Sequence, residues 1–258
     1  APIFIIVVIV SLFAGVVPLI SMLLTSFLKY WGAPLRFANM TTGHYRYILN
    51  LPMVTRAFRN SAFLAVASAT ITMAVGALVS YMSIRAKIKG AKTLDFVGTI
   101  PYAVPCTMVA ISMILAWSRP PVMLYGTIWV ILAAYLVRYM PFSIRTTNAT
   151  LQQVHVSLEE AARVSGAGWI QTMRHIVMPL IRPGLVAGWI LVFMPALREL
   201  TMSVLLWSQG AETMGVVIYN MQDAGYSQIA AALSTVVLLV ILAGNVVVRK
   251  LTKGEVSM

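Results

Sequence analysis

Long apolar stretches alternate with short polar connections along most of this chain. A helix needs about 20 mostly apolar residues to cross the hydrocarbon core of a membrane. Apolar windows of roughly that length occupy residues 3–28, 60–84, 96–117, 121–142, 183–206 and 226–248. The pattern therefore predicts an all-α membrane protein in which residues 1–258 form a single transmembrane domain with six spanning helices.

The fifth predicted span, 183–206, contains two adjacent charges, Arg198 and Glu199, shortly after Pro195. Charged residues inside a span are costly and usually functional, and proline breaks a helix because it lacks an amide hydrogen. Transporters build substrate pathways from broken helices with polar groups at membrane depth. Arg198 and Glu199 are therefore candidates for the lining or the gate of a pathway. The alternative is an internal or intersubunit salt bridge that holds an irregular helix together.

The composition supports a membrane location. Hydrophobic residues make up 60% of the chain and charged residues 10%, whereas about a quarter of the residues in a soluble domain are charged. Basic residues beside membrane spans explain the net charge of +12. The lipid bilayer is therefore an expected partner, and nucleic acid is not.

Basic residues also predict the orientation of the chain, since they favour cytoplasmic loops. They cluster in the second connection, in the fourth connection and after the sixth span: Arg85, Lys87, Lys89, Lys92, Arg145, Arg163, Arg174, Arg182, Arg249, Lys250 and Lys253. This pattern places both termini and residues 151–182 in the cytoplasm. The first connection, 29–59, is then external although it is basic and contains no acid. It is expected to contact lipid phosphates or to dock an acidic external partner.

The polar segment 151–182 is predicted to begin with a short helix. Ser157 and Glu160 have the spacing of a capping box, with Ser157 at the N-cap. Glu159 and Glu160 would then lie in a first helical turn, where the helix dipole favours acids. Gly166 is placed to end this helix, because glycine adopts the left-handed conformation without steric cost.

A second short helix is predicted over residues 168–177. Its apolar residues share one face, and Pro179 is expected to end it because proline cannot donate the next helical hydrogen bond. Small residues at the bend between the two helices would let another backbone approach closely. Such a bent pair of helices is suited to insertion into a groove of a partner protein.

The same segment resembles the EAA motif of binding-protein-dependent ABC importer permeases. The match consists of Glu160-Ala161-Ala162, then Gly166 after three residues, then Ile176 and Met178-Pro179, where the family pattern has Leu-Pro. In that family this loop is the coupling helix, which sits in a cleft of a cytoplasmic ATPase. The resemblance implies the type I ABC importer permease architecture, and it implies that Glu160, Ala161, Ala162 and Gly166 contact the ATPase. The complete predicted ATPase-coupling loop is Glu159, Glu160, Ala161, Ala162, Gly166, Ile176 and Pro179.

Two further stretches, residues 196–234 and 58–65, resemble the ferric-iron importer permeases within this family. The implied substrate is ferric iron, and permeases for thiamine, polyamine, sulfate and phosphonate are near relatives and alternatives. In the iron subfamily two six-helix halves are often fused. A chain that begins with Ala rather than Met is therefore expected to be trimmed or to be one half of a longer polypeptide.

The sequence contains no G-x-x-x-x-G-K-S/T phosphate-binding loop. The chain is therefore expected to be no enzyme and to hold no cofactor, with ATP and Mg bound by a separate cytoplasmic ATP-binding subunit dimer. The resemblance implies a second permease half, which is identical, homologous or fused, and a periplasmic or extracellular substrate-binding protein. It also implies a location in the bacterial cytoplasmic (inner) membrane. His44, His155 and His175 are too scattered to predict a metal site, and no catalytic residues are predicted.

The sequence is also compatible with two other classes of protein. An ion-gradient-driven secondary transporter would use Glu199 as its proton or sodium carrier, and its uptake would need no ATPase. A membrane-embedded enzyme or insertase would need a cluster of His, Asp or Ser at membrane depth, and the sequence shows no such cluster.

Overall fold

The computed structural model describes residues 2–86 and 88–252. All regular secondary structure in these residues is helical, which confirms the all-α fold class. The helices are α1 (Pro2–Ser11), α2 (Val17–Phe27), α3 (Gly43–Leu49), α4 (Pro52–Ile84), α5 (Ala91–Thr99), α6 (Cys106–Trp117), α7 (Ile128–Gln153), α8 (Ser157–Val164), α9 (Trp169–Thr172), α10 (Met178–Leu197), α11 (Ser203–Leu206), α12 (Met214–Asp223) and α13 (Ser227–Thr252). Two of the basic residues that predicted the orientation, Lys87 and Lys253, lie outside the described residues.

The chain divides into two compact units. One comprises residues up to Arg59 together with Glu212–Val247, and the other is formed mainly by Asn60–Ala211. In the first unit, α3, the start of α4, α12 and α13 share a small apolar core. Its buried members are Ile48, Val54, Ala57, Met214, Val217, Met221, Ala230, Ala232 and Leu233.

The helices α1 and α2 of the first unit present apolar side chains at their surface. An apolar window within Ile6–Phe27 has no residue buried by the described chain. A helix that is apolar on all sides belongs in an apolar environment. This surface is therefore suited to lipid or to another subunit.

The core of the second unit is built around α7, which packs against α4, α6, α10 and α11. Its fully buried side chains include Leu64, Ile131, Tyr135, Met202, Leu206, Val130 and Val192. Glycines bring α10 close to α7. A Cβ added at Gly184 would lie 2.0 Å from Thr150 Oγ1, and one added at Gly188 would lie 2.5 Å from Thr146 Oγ1.

The third predicted span, 96–117, is a bent pair of helices rather than one straight helix. The helical stretches Ala91–Tyr102 and Cys106–Trp117 are bent by 110° at the break between them. Pro105 occupies the N-cap of α6. Proline cannot donate the backbone hydrogen bond that would continue the preceding helix, so the break falls there.

The helices of the fourth and fifth predicted spans differ from 121–142 and 183–206. Helical structure runs over Ile128–Gln153 and over Trp169–Leu197. The predicted bounds mark the ends of the apolar windows, but a polar or charged residue limits burial in lipid and does not end a helix. Arg145 lies inside its helix for this reason. In the described part of the chain, five helices are long and apolar enough to cross a membrane, or six if the bent pair is one span.

Pro179 does not end the second helix of the polar segment, so that prediction is wrong. The helix α9 passes through a π-helical turn, Met173–Val177, directly into α10. In a regular α-helix the proline ring clashes with the carbonyl four residues earlier. The wider π turn, with bonds five residues apart, accommodates the proline. The same arrangement occurs at Leu12–Val16, which precedes Pro18.

Candidate functional site

Residues 157–177, called here the two-helix segment, contain α8, a tight bend, α9 and the π-helical turn. Gly166 at the bend has a φ of +81°. Its N–H donates to the carbonyl of Arg163, and the N–H of Ala167 donates to the carbonyl of Ala162, both at 3.0 Å. These two bonds form a Schellman motif, which satisfies carbonyls that the helix end leaves unpaired. The prediction that Gly166 ends this helix is confirmed.

The start of α8 differs from the predicted capping box. Ser157 is the first helical residue, and Val156 occupies the N-cap. The hydroxyl of Ser157 instead lies 2.7 Å from His155 Nδ1. A capping contact occurs at the second helix, where Gln171 Oε1 accepts a hydrogen bond of 3.0 Å from the N–H of Gly168.

The adjacent acids Glu159 and Glu160 have opposite environments. Glu160 is exposed, whereas Glu159 is buried. Its Oε1 lies 3.1 Å from Nε of Arg85, whose side chain is also buried. The Nη2 group of Arg85 donates to the carbonyl of Leu151 at 2.7 Å and also to the carbonyl of Val154. Both carbonyls lie at the C-terminal end of α7, where backbone acceptors lack helical donors. Arg85 therefore joins the end of α7 to the first turn of α8.

The second helix of the segment is attached to the same place. Trp169 Nε1 donates a hydrogen bond of 2.8 Å to the hydroxyl of Tyr81, and the two rings meet edge to face with centroids 6.1 Å apart. Tyr81 lies in the last turns of α4, four residues before Arg85. Both helices of the two-helix segment are therefore held at one end of α4.

The opposite face of α8 is open. Leu158, Ala161 and Val164 are exposed, and Val164 is 89% exposed. Residues three apart on a helix lie on one face, so these side chains form a continuous apolar stripe. An exposed apolar stripe is suited to contact with a partner protein.

The predicted coupling residues fall into two groups in the structure. Glu160, Ala161, Gly166 and Pro179 are exposed, whereas Glu159 and Ala162 are buried against their own chain and Ile176 is half-buried. The two buried residues lie three apart on α8, on the side that faces the rest of the second unit. They hold the helix in place and leave the exposed group available to a partner.

The second candidate site lies where α10 ends. Glu199 is half-buried; its Oε1 accepts a hydrogen bond of 3.0 Å from the N–H of Met202, and its Oε2 accepts one of 3.2 Å from the hydroxyl of Tyr139. Nearby, the hydroxyl of Tyr135 lies 2.7 Å from Ser203 Oγ. Two tyrosines of α7 thus line the non-helical stretch between α10 and α11 with polar atoms.

Arg198, in contrast, is exposed. Within residues 2–86 and 88–252, no ion pair joins Arg198 to Glu199. An internal salt bridge between these neighbours is therefore not what holds the irregular stretch. A bridge to another subunit stays an alternative to the pathway.

Arg138, which precedes Tyr139 on α7, binds the break between α5 and α6. Its Nη1 group donates bonds of 3.2 Å to the carbonyls of Pro101, Tyr102 and Val104, and its guanidinium lies 5.5 Å from the centre of the Tyr102 ring. These carbonyls belong to the break between α5 and α6, where helical donors are missing. Arg138 and Tyr139 therefore each contact one of the two interrupted helical regions.

A metal centre is not evident in the part of the chain that the structure describes. No group of three or more His, Cys, Asp or Glu side chains there is arranged to hold a metal ion. The polar cluster at Glu199 offers carboxylate and hydroxyl oxygens instead. It is suited to a passing polar or cationic group.

A comparison that covers most of the sequence decides the family. Residues 72–254 match the family described as binding-protein-dependent transport system inner membrane component. The chain belongs to this family. The match includes the two-helix segment and both interrupted regions, so the family indicated by the Glu160–Pro179 pattern is confirmed.

The sequence of this permease is similar to permeases of more than one transport system. It is 29% identical over 184 residues to the ferric transport system permease protein FbpB of Actinobacillus pleuropneumoniae, with 71% of this chain and 27% of that protein covered. It is 26% identical over 225 residues to the spermidine/putrescine transport system permease protein PotC of Escherichia coli K12, with 86% of this chain and 84% of that protein covered. The chain thus spans about a quarter of the ferric relative.

The fold of the permease is also known from solved structures. A chain of a bacterial ABC transporter involved in the import of the acidic polysaccharide alginate superimposes with a TM-score of 0.78 at 18% identity, covering 96% of this permease and 94% of that chain. The permease therefore has the fold of an ABC importer permease, as the sequence predicted.

Several residues of these sites cannot be identified from the sequence alone. In the sequence Arg85 is only one of the basic residues that predict the orientation, and nothing distinguishes Tyr81, Tyr135 or Tyr139. Their partners lie far away along the chain. The only signal in one sequence was a basic residue directly after a long apolar stretch, which is common beside any membrane span.

Proposed function

We propose that this permease forms the translocation path of an ATP-binding-cassette importer for ferric iron. The observation that carries the proposal is the two-helix segment, which is fastened to α4 and α7 on one side and presents an exposed apolar stripe on the other. A surface built in this way suits a large partner that pushes on the permease. The family to which the chain belongs moves substrates with the help of a binding protein.

The partner at the two-helix segment is a cytoplasmic ATPase dimer that binds ATP and Mg. Leu158, Glu160, Ala161, Val164 and Gly166 form its docking surface. Closure of the ATPase dimer on ATP displaces the segment, and two permease halves rock between outward-open and inward-open states. The permease hydrolyses nothing itself. An external binding protein delivers the substrate to the opposite side of the membrane.

Two ion pairs support the proposed topology. In the first unit Arg56, in the connection between the first and second spans, pairs with Glu212, in the connection between the fifth and sixth spans. In the second unit Arg85, in the connection between the second and third spans, pairs with Glu159, in the connection between the fourth and fifth spans. Connections that pair must lie on the same side of the membrane, and both pairs agree with the alternation read from the sequence. With the basic second and fourth connections inside, both termini lie in the cytoplasm of a bacterium and the chain crosses its inner membrane.

The substrate assignment is supported by the ferric relative, which has the higher identity, and polyamine is the second candidate because the spermidine/putrescine relative matches over most of its length. Both candidates are cations. Glu199, with Tyr139 beside it, places a carboxylate at an interrupted helix where a cation could pass. Arg198 is the second proposed pathway residue.

Uptake into proteoliposomes tests the proposal. The permease is reconstituted with its ATPase, and its binding protein is added outside, loaded with radiolabelled ferric iron or spermidine. We expect ferric iron to accumulate only when ATP is supplied and to do so after the ion gradients are collapsed. Accumulation of spermidine instead would assign the polyamine class. Uptake that needs a gradient and no ATPase would replace the importer with a secondary transporter.

A further inference from the structure

We propose that the end of α4 is the linkage through which the two-helix segment moves the permease, with Arg85 and Tyr81 as its positioning residues. The inference rests on the proposed function, because it assumes that an ATPase displaces the segment. It adds the route by which that displacement reaches a membrane-spanning helix.

One side chain joins three helices at this point. Arg85 follows the last residue of α4, its Nε lies 3.1 Å from Glu159 on α8, and its Nη2 binds Leu151 and Val154 at the end of α7. The planar guanidinium presents donors in several fixed directions. A lysine ammonium is a single point on a flexible stem, so it cannot make these contacts in the same geometry.

Burial makes this junction resistant to separation. The side chains of Arg85 and Glu159 are 5% and 6% exposed, and pulling apart a buried pair leaves both charges unpaired in a medium that solvates them poorly. The only other buried residue of α8 is Ala162, which is small. When α8 moves, the ion pair therefore carries the ends of α4 and α7 with it.

The second helix provides a matching attachment one turn away. Trp169 binds Tyr81 on α4, at the edge of an apolar cleft of about 420 Å³ that lies between α4 and the helix formed by α9 and α10. Packed helices resist relative movement, and the cleft leaves this pair incompletely packed. Tyr81 and Arg85 thus bind the two-helix segment to α4 at two points, beside a space that permits movement.

Conservative variants in the complete importer test the linkage. Arg85→Lys keeps the charge, Glu159→Gln keeps the shape, and Tyr81→Phe keeps the ring. Arg182→Lys and Tyr226→Phe are matched controls at exposed positions. Three quantities are measured for each: the amount of ATPase that copurifies, the basal rate of ATP hydrolysis, and the stimulation of hydrolysis by the external binding protein loaded with ferric iron.

We expect every variant to retain its ATPase and its basal hydrolysis. Stimulation by the loaded binding protein should fall about tenfold in Arg85→Lys and in Glu159→Gln, which is the usual size of coupling between distant sites. In Tyr81→Phe the stimulation should fall about fivefold, which corresponds to the loss of one neutral hydrogen bond. Combining Arg85→Lys with Glu159→Gln should lower the stimulation no further than Arg85→Lys alone, because Glu159→Gln removes only the ion pair, which Arg85→Lys has already disturbed together with the bonds to Leu151 and Val154. The controls should match the wild type.

Three results would overturn the linkage. Normal stimulation in both Arg85→Lys and Glu159→Gln would show that the ion pair transmits nothing. A loss of bound ATPase in proportion to the loss of stimulation would show that the pair only shapes the docking surface. If Arg85→Lys does not assemble, Glu159→Gln decides between these outcomes. A wild-type permease that binds no ATPase would refute the proposed function itself, and the linkage with it.

Discussion

Arg56 and Glu212 form a bidentate ion pair in the first unit. Arg56 Nε lies 3.0 Å from Glu212 Oε2, and Arg56 Nη2 lies 3.1 Å from Oε1. Glu212 is buried and Arg56 is partly exposed. The pair fixes the start of α4 to the connection that precedes α12. It also means that one of the charges in the basic connection 29–59 is already compensated within the chain, so less of that connection is available to an acidic external partner.

Replacing Arg56 tests how much this ion pair contributes to the stability of the fold. Arg56→Ala should lower the free energy of unfolding by about 2 kcal/mol, because the buried Glu212 would lose two charge-assisted hydrogen bonds. Thermal unfolding of the purified permease in detergent measures the effect. Arg46→Ala is the control, since Arg46 is a basic and exposed residue of the same connection. Equal Tm values for the two variants would contradict the prediction.

Gly166 provides a test of the bend in the two-helix segment. Gly166→Val forces a β-branched residue to a φ of +81°, a strain of about 1–3 kcal/mol, although no other atom stands where the new Cβ would be placed. The bend should open, and the ATPase should no longer copurify. Gly126→Val imposes the same strain, because Gly126 also has a φ of +81° and open space around it, but lies outside the segment. If the two variants lose ATPase equally, the effect is general strain and not the bend.

Glu199 can be neutralised with little change of shape. In Glu199→Gln the amide oxygen can still accept from the N–H of Met202, and the amide nitrogen can donate to the oxygen of Tyr139. We expect a folded permease whose Tm is close to that of the wild type and whose transport rate is clearly reduced, because the carboxylate is lost from the pathway. Tyr139→Phe, which keeps the charge, should retain more transport. A permease that fails to accumulate or unfolds early would instead assign Glu199 a structural role.

The contact between α7 and α10 leaves no room for a methyl group. Gly184→Ala would place its Cβ 2.0 Å from Thr150 Oγ1 and 2.5 Å from Thr150 Cγ2, and overpacking of this kind costs about 1–3 kcal/mol. Adding Thr150→Ala removes both of those atoms and should restore part of the lost Tm. Gly15→Ala, at a helical position with open space, should not lower the Tm. Unchanged stability in Gly184→Ala would show that the two helices can separate at no cost.

The helical architecture was predictable because a membrane leaves few choices. Apolar windows of spanning length identified the helices, and Gly166 was recognised from its place after a short polar helix. The exact ends were not predictable from charge. Arg145 lies inside α7, and Pro179 lies in a helix that a π turn keeps continuous, since neither a charge nor a proline ends a helix whose surroundings satisfy its backbone.

The two acids of the candidate site show the limit of a single sequence. Glu159 and Glu160 are neighbours of the same type, so composition and spacing treat them alike. Their roles diverge because a helix turns by about 100° per residue, which directs Glu159 towards Arg85 and Glu160 towards solvent. Only the position of α8 against α4 and α7 decides which acid faces which way, and that position depends on contacts between residues far apart along the chain.

Site-specific crosslinking in membranes tests whether the exposed face of α8 docks an ATPase. A photoreactive residue is placed at Val164 on the exposed stripe of α8 or, for comparison, at the exposed Tyr226 between α12 and α13, and the captured polypeptides are identified by mass spectrometry. We expect position 164 to capture a polypeptide with an ATP-binding cassette and position 226 not to. Failure to capture such an ATPase from position 164, or equal capture from both positions, would contradict docking at this face.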